Sequence, residues 1–421
     1  MLNAFGIAHL RLAEYEQAQR YFEDALTLRS AQTQPDERAK TLANLAIVGI
    51  IQGSFDEAED SLQEARTLVE AQRDQAEQAH IMDTFGFLYE EQGRYPTALK
   101  YYKHGLDLRV QMSDTQLQPE SMSNVAYMHF LIGDIALAEI YWQQALSLFT
   151  RNNDQSHQLR TQQNLIHLKL MKGDNTAASR ELGELTQSLS PELGQERLYQ
   201  HLLLSYLHFA KGSLQESIKH TEAAQSLAQQ AEDPKAQLES SLWMGEICLR
   251  TADWPCLEQK LTQLSTQVDR TSSEQQMVYR WLKLAHAFHQ GERVNESHPG
   301  YLALVNTTNM PIHVELKILL DIQERFELSA QSLAMQKADQ LHRPVFYQTH
   351  LQWLYLKARE GDEQSLARLE QQLAVHPDYW RNHLYYSVVP ASSEQQQTLL
   401  SQWLQELPEE QIQTYQETYL E

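Results

Sequence analysis

GSFDEAEDSLQEA (53–65), GRYPTALKYYKHG (93–105), GDIALAEIYWQQA (133–145) and GDNTAASRELGEL (173–185) each begin 40 residues after the last. Five residues into each stands an alanine, Ala58, Ala98, Ala138 and Ala178, and Ala18 occupies the same place one period earlier. Alanine makes up under roughly a tenth of ordinary sequence, so five in register mark an internal repeat. The register runs on, with decay, through Gly212, Ala252 and Gly291. Such a period fits two antiparallel helices, A and B, joined by a tight turn at the glycine. Small residues recur where the helices approach: Gly6, Ala46, Gly86, Ala126 and Gly245 in helix A, and Ala25, Ala65, Gly105, Ala145 and Ala224 late in helix B. Phe22, Leu62, Tyr102, Trp142 and Leu182 are expected to fill the space between units. No hairpin of this kind can bury its apolar face alone, so the units must stack.

The rest of the chain agrees with an all-α protein. A hydrophobic fraction of 42% can build a continuous core, and 15 Gly and 12 Pro in 421 residues are too few for an all-β or linker-rich chain. Fifty-six acidic residues against 34 basic give a formal charge of −22. That balance disfavours nucleic acid and anionic membrane as partners and leaves room for a basic peptide or protein. The acid concentrates in residues 56–91, where Asp83 and Glu90 are expected to make one inner face acidic. The two cysteines, Cys248 and Cys256, suggest no disulfide framework; Cys248 reads as a small buried hydrophobe. No signal peptide and no run of about 18 apolar residues occurs, which predicts a cytoplasmic protein.

The pattern resembles the tetratricopeptide-repeat (TPR) family over roughly residues 1–290, in the long units of bacterial regulatory arrays and the kinesin light chain. The resemblance implies a TPR α-solenoid, a right-handed superhelix of antiparallel helix pairs, with seven to eight repeats over 1–290 and diverged hairpins with capping helices over 291–421. Ser392 and Ser393 offer N-caps to the last of these, whose Leu399, Leu400, Trp403, Leu404 and Leu407 share a face. Met1 falls inside the first helix A of the register, as expected of a piece of a longer protein.

Catalytic chemistry finds no support. The sequence holds no phosphate loop, no dinucleotide fingerprint, no nucleophile elbow and no zinc-protease motif. His286 and His289 could share a helix face, but further ligands are not evident, so neither metal nor cofactor is expected. Arrays of this family bind partners along their A helices, and a ladder of amides there is the natural candidate. Asn44, Thr84, Asn124 and Asn164 repeat at the 40-residue spacing. An amide both donates and accepts, so it can pair with the backbone of an extended peptide of any sequence; kinesin-light-chain-type repeats use asparagine there in this way. Equally, such an Asn can bond the neighbouring helix and stabilise stacking. Phe87, Tyr127, His167 and Tyr206 follow the small position of helix A and could form apolar pockets, with Lys40, Arg160 and Gln163 nearby. The expected function is a non-enzymatic scaffold or sensor module of a larger bacterial signalling protein, gripping an extended segment in the concave groove. The alternatives are self-association and the sensing of a small inducer, with Tyr206, Trp243 and Trp281 as stacking platforms.

Overall fold

A computed structural model describes the chain except residues 32–33, 191–192, 269–271, 327, 330, 376–380, 390–392 and 421, and the side chains of 383 and 393–395. The described residues are helical pairs joined by short turns, with no strand among them. They form two compact units, Met1–Thr161 and Gln162–Glu421.

The first unit holds α1 (Leu2–Arg11), α2 (Tyr15–Thr27), α3 (Pro35–Gln52), α4 (Phe55–Gln72), α5 (Gln75–Glu91), α6 (Tyr95–Gln111), α7 (Gln118–Ile132) and α8 (Ile135–Arg151); α9 (Gln155–Met171) crosses the division. Each A-to-B turn rests on a residue in the left-handed region. Gly53 (φ 80°), Gly93 (71°), Gly133 (91°), Gly173 (78°) and Gly212 (80°) take it without steric cost, while Ala13 (57°) and Ala252 (55°) stand in for glycine at two turns. The residue after each bonds back five places, as Ser54 N–H does to the Gly49 carbonyl and Arg94 N–H to that of Tyr89, which closes the helix C-terminus.

Two of the large B-helix residues, Tyr102 and Phe22, pack closely against helix A of their own pair. A methyl group on Gly86 would lie 2.6 Å from the Tyr102 ring, and one on Gly6 would lie 2.4 Å from that of Phe22. The missing Cβ is what lets each ring come this close to helix A; Phe22 also shares a buried apolar cluster with Val48 of the next pair. The acidic stretch is likewise spent internally. Asp83 pairs with buried Arg109 at 2.5 Å and Glu90 accepts the Tyr102 hydroxyl at 2.6 Å, so neither forms an acidic groove wall. Burial pushes the Asp83 carboxyl up to about 6 against the opposing pull of Arg109.

The second unit continues with α10 (Asn175–Ser188), α11 (Gly194–Ala210), α12 (Leu214–Gln230), α13 (Pro234–Arg250), α14 (Trp254–Leu264), α15 (Ser273–His289), α16 (Pro299–Val305), α17 (Ile312–Arg325), α18 (Leu333–Leu341), α19 (Tyr347–Arg359), α20 (Glu363–Val375), α21 (Asn382–Tyr385), α22 (Ser393–Glu406) and α23 (Glu409–Tyr419). Cys248 and Cys256 are joined as a disulfide across the α13–α14 turn, with Cα atoms 5.8 Å apart, which corrects the expectation of no disulfide, while Cys248 is buried as expected. They sit in the last turn of one helix and the first turn of its antiparallel partner, where side chains meet.

The C-terminal helices fold back onto earlier helices of this unit. Trp403 on α22 meets Phe209 of α11 edge-on at 6.1 Å, Gln411 on α23 bonds Asp253 at 2.7 Å, and Tyr419 donates to the Leu249 carbonyl at 2.6 Å. At the other side the α9–α10 turn abuts α19, where a Cβ on Gly173 would strike the Tyr347 ring at 2.7 Å. The helices of this unit therefore close upon themselves. The capping role of Ser392 and Ser393 falls outside the described residues and side chains.

Candidate functional site

Closure of the second unit leaves a cavity of about 330 Å³ between the inward faces of α9, α11, α13, α15, α17 and α19. Its walls carry Leu170, Tyr206, Phe209, Trp243, Val278 and Phe346. Tyr206 and Trp243 meet at a right angle, centroids 4.5 Å apart, and Phe209 meets Trp243 edge-on at 5.4 Å. Trp243 is fixed from behind, its indole N–H donating to Ser205 Oγ at 2.8 Å within a buried set of hydroxyls from Ser205, Ser217 and Thr221. Small hydroxyls there let α11 and α12 approach while satisfying the indole.

One end of the cavity is a saturated charge network. Lys317 pairs with Glu246 at 2.8 Å, Arg250 with Asp321, and Arg381 with Glu324 at 3.1 Å, while Gln352 donates to Asp321 at 3.0 Å. Burial alone would raise the Asp321 carboxyl, but Arg250 and Arg381 outweigh it and hold it below the ordinary carboxylate range. The other end differs. Glu239 on α13 and Glu274 on α15 line the cavity, and neither makes an ion pair or a side-chain hydrogen bond among the described residues. Burial, then the neighbouring Glu274 carboxylate, pushes Glu239 up to about 7; burial raises Glu274 too. Burial drives His167 down to about 4 and His313 to about 3, so both are neutral at pH 7.

A group whose folded pKa is raised favours the folded state at low pH and loses that contribution as pH rises towards the folded value. Lys235 and Asp233 on its own helix, Glu274 on α15 and Tyr206 on α11 are the charged and titratable groups acting with Glu239. Glu239→Gln is therefore expected to gain stability over the parent as pH rises from 4.5 to about 7, and to keep the gain above that. Urea unfolding at pH 5 and pH 8 checks it; equal midpoint shifts at both would contradict the raised carboxyl.

The residues expected from the sequence to bind are placed unevenly. His167 and Tyr206 line the cavity, their rings stacked at 5.9 Å. Thr84 is buried with its hydroxyl bonded back to the His80 carbonyl, and Gln163 is buried with its amide donating to the Glu196 carbonyl at 2.5 Å. Asn44 reaches Asn3 of the preceding helix A at 3.4 Å, the helix-to-helix alternative. Asn124 and Asn164 are half-buried and make no side-chain hydrogen bond among the described residues. In the first unit Lys40 and Phe87 are half-buried, while Tyr127 and Arg160 are exposed. Trp281 is no stacking platform: it is 1% exposed in the core, edge-on to Phe326 at 6.0 Å. His289 stacks on Trp254 at 3.8 Å, and no metal-holding group of three or more His, Cys, Asp or Glu occurs among the described residues. No described helix is long and apolar enough to cross a membrane.

A stack of helix pairs enclosing an aromatic-walled cavity defines a helical repeat architecture. Residues 1–32 and 37–109 match models of the tetratricopeptide repeat. A comparison with curated proteins gives no match. Among solved structures it is similar to NprR in complex with its cognate peptide NprX, at 15% identity and TM-score 0.54, covering 82% of this chain and 96% of that one. It is also similar to a Rap protein complexed with Competence and Sporulation Factor, at 12% identity and TM-score 0.51, covering 96% and 98%. At these identities the likeness concerns the fold.

Proposed function

We propose that the chain is a non-enzymatic peptide- or protein-binding module of a larger bacterial regulatory protein, acting in the cytoplasm and holding an extended segment against its A helices. The repeat array would span 1–290 and the closing helices 291–421. The observation that carries this reading is the enclosed cavity of the second unit, with aromatic walls and two carboxylates that make no ion pair among the described residues. Two proteins of similar fold have been solved with NprX, a cognate peptide, and with Competence and Sporulation Factor, which supports a segment of that kind as ligand. The net charge of −22 favours a basic one. Asn124 and Asn164 could add backbone contacts, with Phe87, Tyr127, Lys40 and Arg160 as further candidates.

The test is to fill the cavity. Val278→Trp places a bulky ring in the lumen from a half-buried wall position. Binding of fluorescent pentapeptide pools is expected to weaken by at least about tenfold, the equivalent of ~1.4 kcal/mol, with the melting temperature little changed. Undiminished binding would sink the cavity as the site, and loss only in Asn124→Ala with Asn164→Ala would move it to the asparagines. A second reading, a small inducer, draws on the cavity's volume, at the lower end of ligand pockets. Thermal shifts against a metabolite panel separate the two.

A further inference from the structure

The cavity shows which chemical group its ligand must bring. Among the described residues every cation near it except one is already engaged: Lys317 is held by Glu246 at 2.8 Å, Arg250 by Asp321, and Arg381 by Glu324 at 3.1 Å. The exception is Lys235, which acts on Glu239 and Glu274 from an exposed position at the start of α13 without forming an ion pair with either. His167 from α9 and His313 from α17 face the same space as neutral rings, and the Tyr206 phenol stays protonated. Two carboxylates on successive A helices thus line an aromatic-walled cavity, acted on by Lys235 and, at Glu274, also by Lys317, yet held in no ion pair among the described residues. Carboxylates in such a place are costly unless something cationic arrives to pair with them.

We propose that Glu239 and Glu274, with the right-angled rings of Tyr206 and Trp243, form a subsite for one ammonium or guanidinium group, the Lys or Arg side chain of a bound peptide. The two carboxylates supply charge-assisted acceptors, and the electron-rich ring faces attract the same cation where water is displaced. Phe209, Leu242 and Val278 take the aliphatic stem of the side chain. The committed charges at the far end leave a second cation no vacant acceptor there, so the cavity selects one basic residue and not a polybasic run. This inference rests on the cavity being the peptide site.

The experiment uses the whole chain at pH 8 and four fluorescent pentapeptide pools with the central residue fixed as Arg, Lys, citrulline or norleucine. Wild type is expected to bind the Arg or Lys pool at least about tenfold more tightly than the citrulline pool, which keeps the shape of arginine without its charge. Glu239→Gln with Glu274→Gln, checked for an unchanged or higher melting temperature, is expected to erase that preference. Equal binding of the Arg and citrulline pools, or a preference that survives in the double variant, overturns the subsite while leaving peptide binding intact. If no pool binds, the peptide reading fails, and agmatine, a guanidinium without a peptide, then decides the subsite. A melting rise with agmatine beyond that with equal ionic strength of NaCl, seen in wild type and absent from the double variant, sustains the subsite; no rise overturns it.

Discussion

Asp321→Ala is expected to destabilise the second unit by about 3–5 kcal/mol, more than any other single charge removal in the protein. Asp321 is 3% exposed on α17 and ties together three other segments: Arg250 of α13, Gln352 of α19 at 3.0 Å, and Arg381 at 3.9 Å. Its loss strands two guanidinium groups that are themselves buried. Glu246, 3.9 Å from Arg250, and Glu324, beside Arg381, compensate in part, which keeps the effect within that range. Because Arg250 and Arg381 lower the Asp321 pKa despite its burial, its contribution is complete above the ordinary aspartate value near 4. It fades as pH falls through the lowered one. Urea unfolding followed by tryptophan fluorescence reads this unit almost alone, since six of the seven tryptophans lie beyond residue 161. A loss under about 1 kcal/mol would mean that the arginines rearrange to other partners.

Trp281→Ala is the second large effect, about 3–5 kcal/mol from the removal of a large side chain in a close-packed core. Its ring is 1% exposed, sits edge-on to Phe326 and belongs to the cluster that joins α13, α15 and α17. Trp243→Ala, by contrast, removes a half-buried cavity wall. The pair separates packing from binding: the Trp281 variant loses stability and keeps its ligand at low temperature, and the Trp243 variant does the reverse. If Trp281→Ala melted normally but bound nothing, the assignment of that ring to the core would be wrong. Trp281→Phe is expected to cost far less, because it keeps most of the volume and removes an indole N–H that has no partner in the core.

The helix pairs could be read from sequence because their most constrained positions admit few residue types. A left-handed turn favours glycine, and the closest helix approach favours Gly or Ala, so both leave a periodic trace. The turns between pairs carry the same backbone requirement. Arg73, Ser113 and Asn153 all have positive φ, 59°, 56° and 56°, yet share no side chain, so nothing in composition announces them. Binding residues proved harder still. Asn44 and Thr84 occupy equivalent places, but one bonds a neighbouring helix and the other its own, a distinction set by packing rather than spacing. His167 and Tyr206 were visible through the repeat, whereas His313, Lys317 and Phe346 lie where the period has dissolved and reach the cavity only because the unit closes on itself. Glu239 and Glu274 give no motif: what sets them apart is the absence of partners, which only three dimensions reveal.

The two alternating left-handed joints, one inside each pair and one between pairs, limit how such a chain can change length. A residue inserted within a helix turns everything beyond it by about 100°, which carries buried side chains to the surface and surface ones inward. Material added or lost in whole 40-residue periods, as from Gly53 to Gly93 or Arg73 to Ser113, preserves every face. Length in this architecture is thus quantised: it can change by whole repeats or at the joints, and anywhere else a change scrambles the buried face.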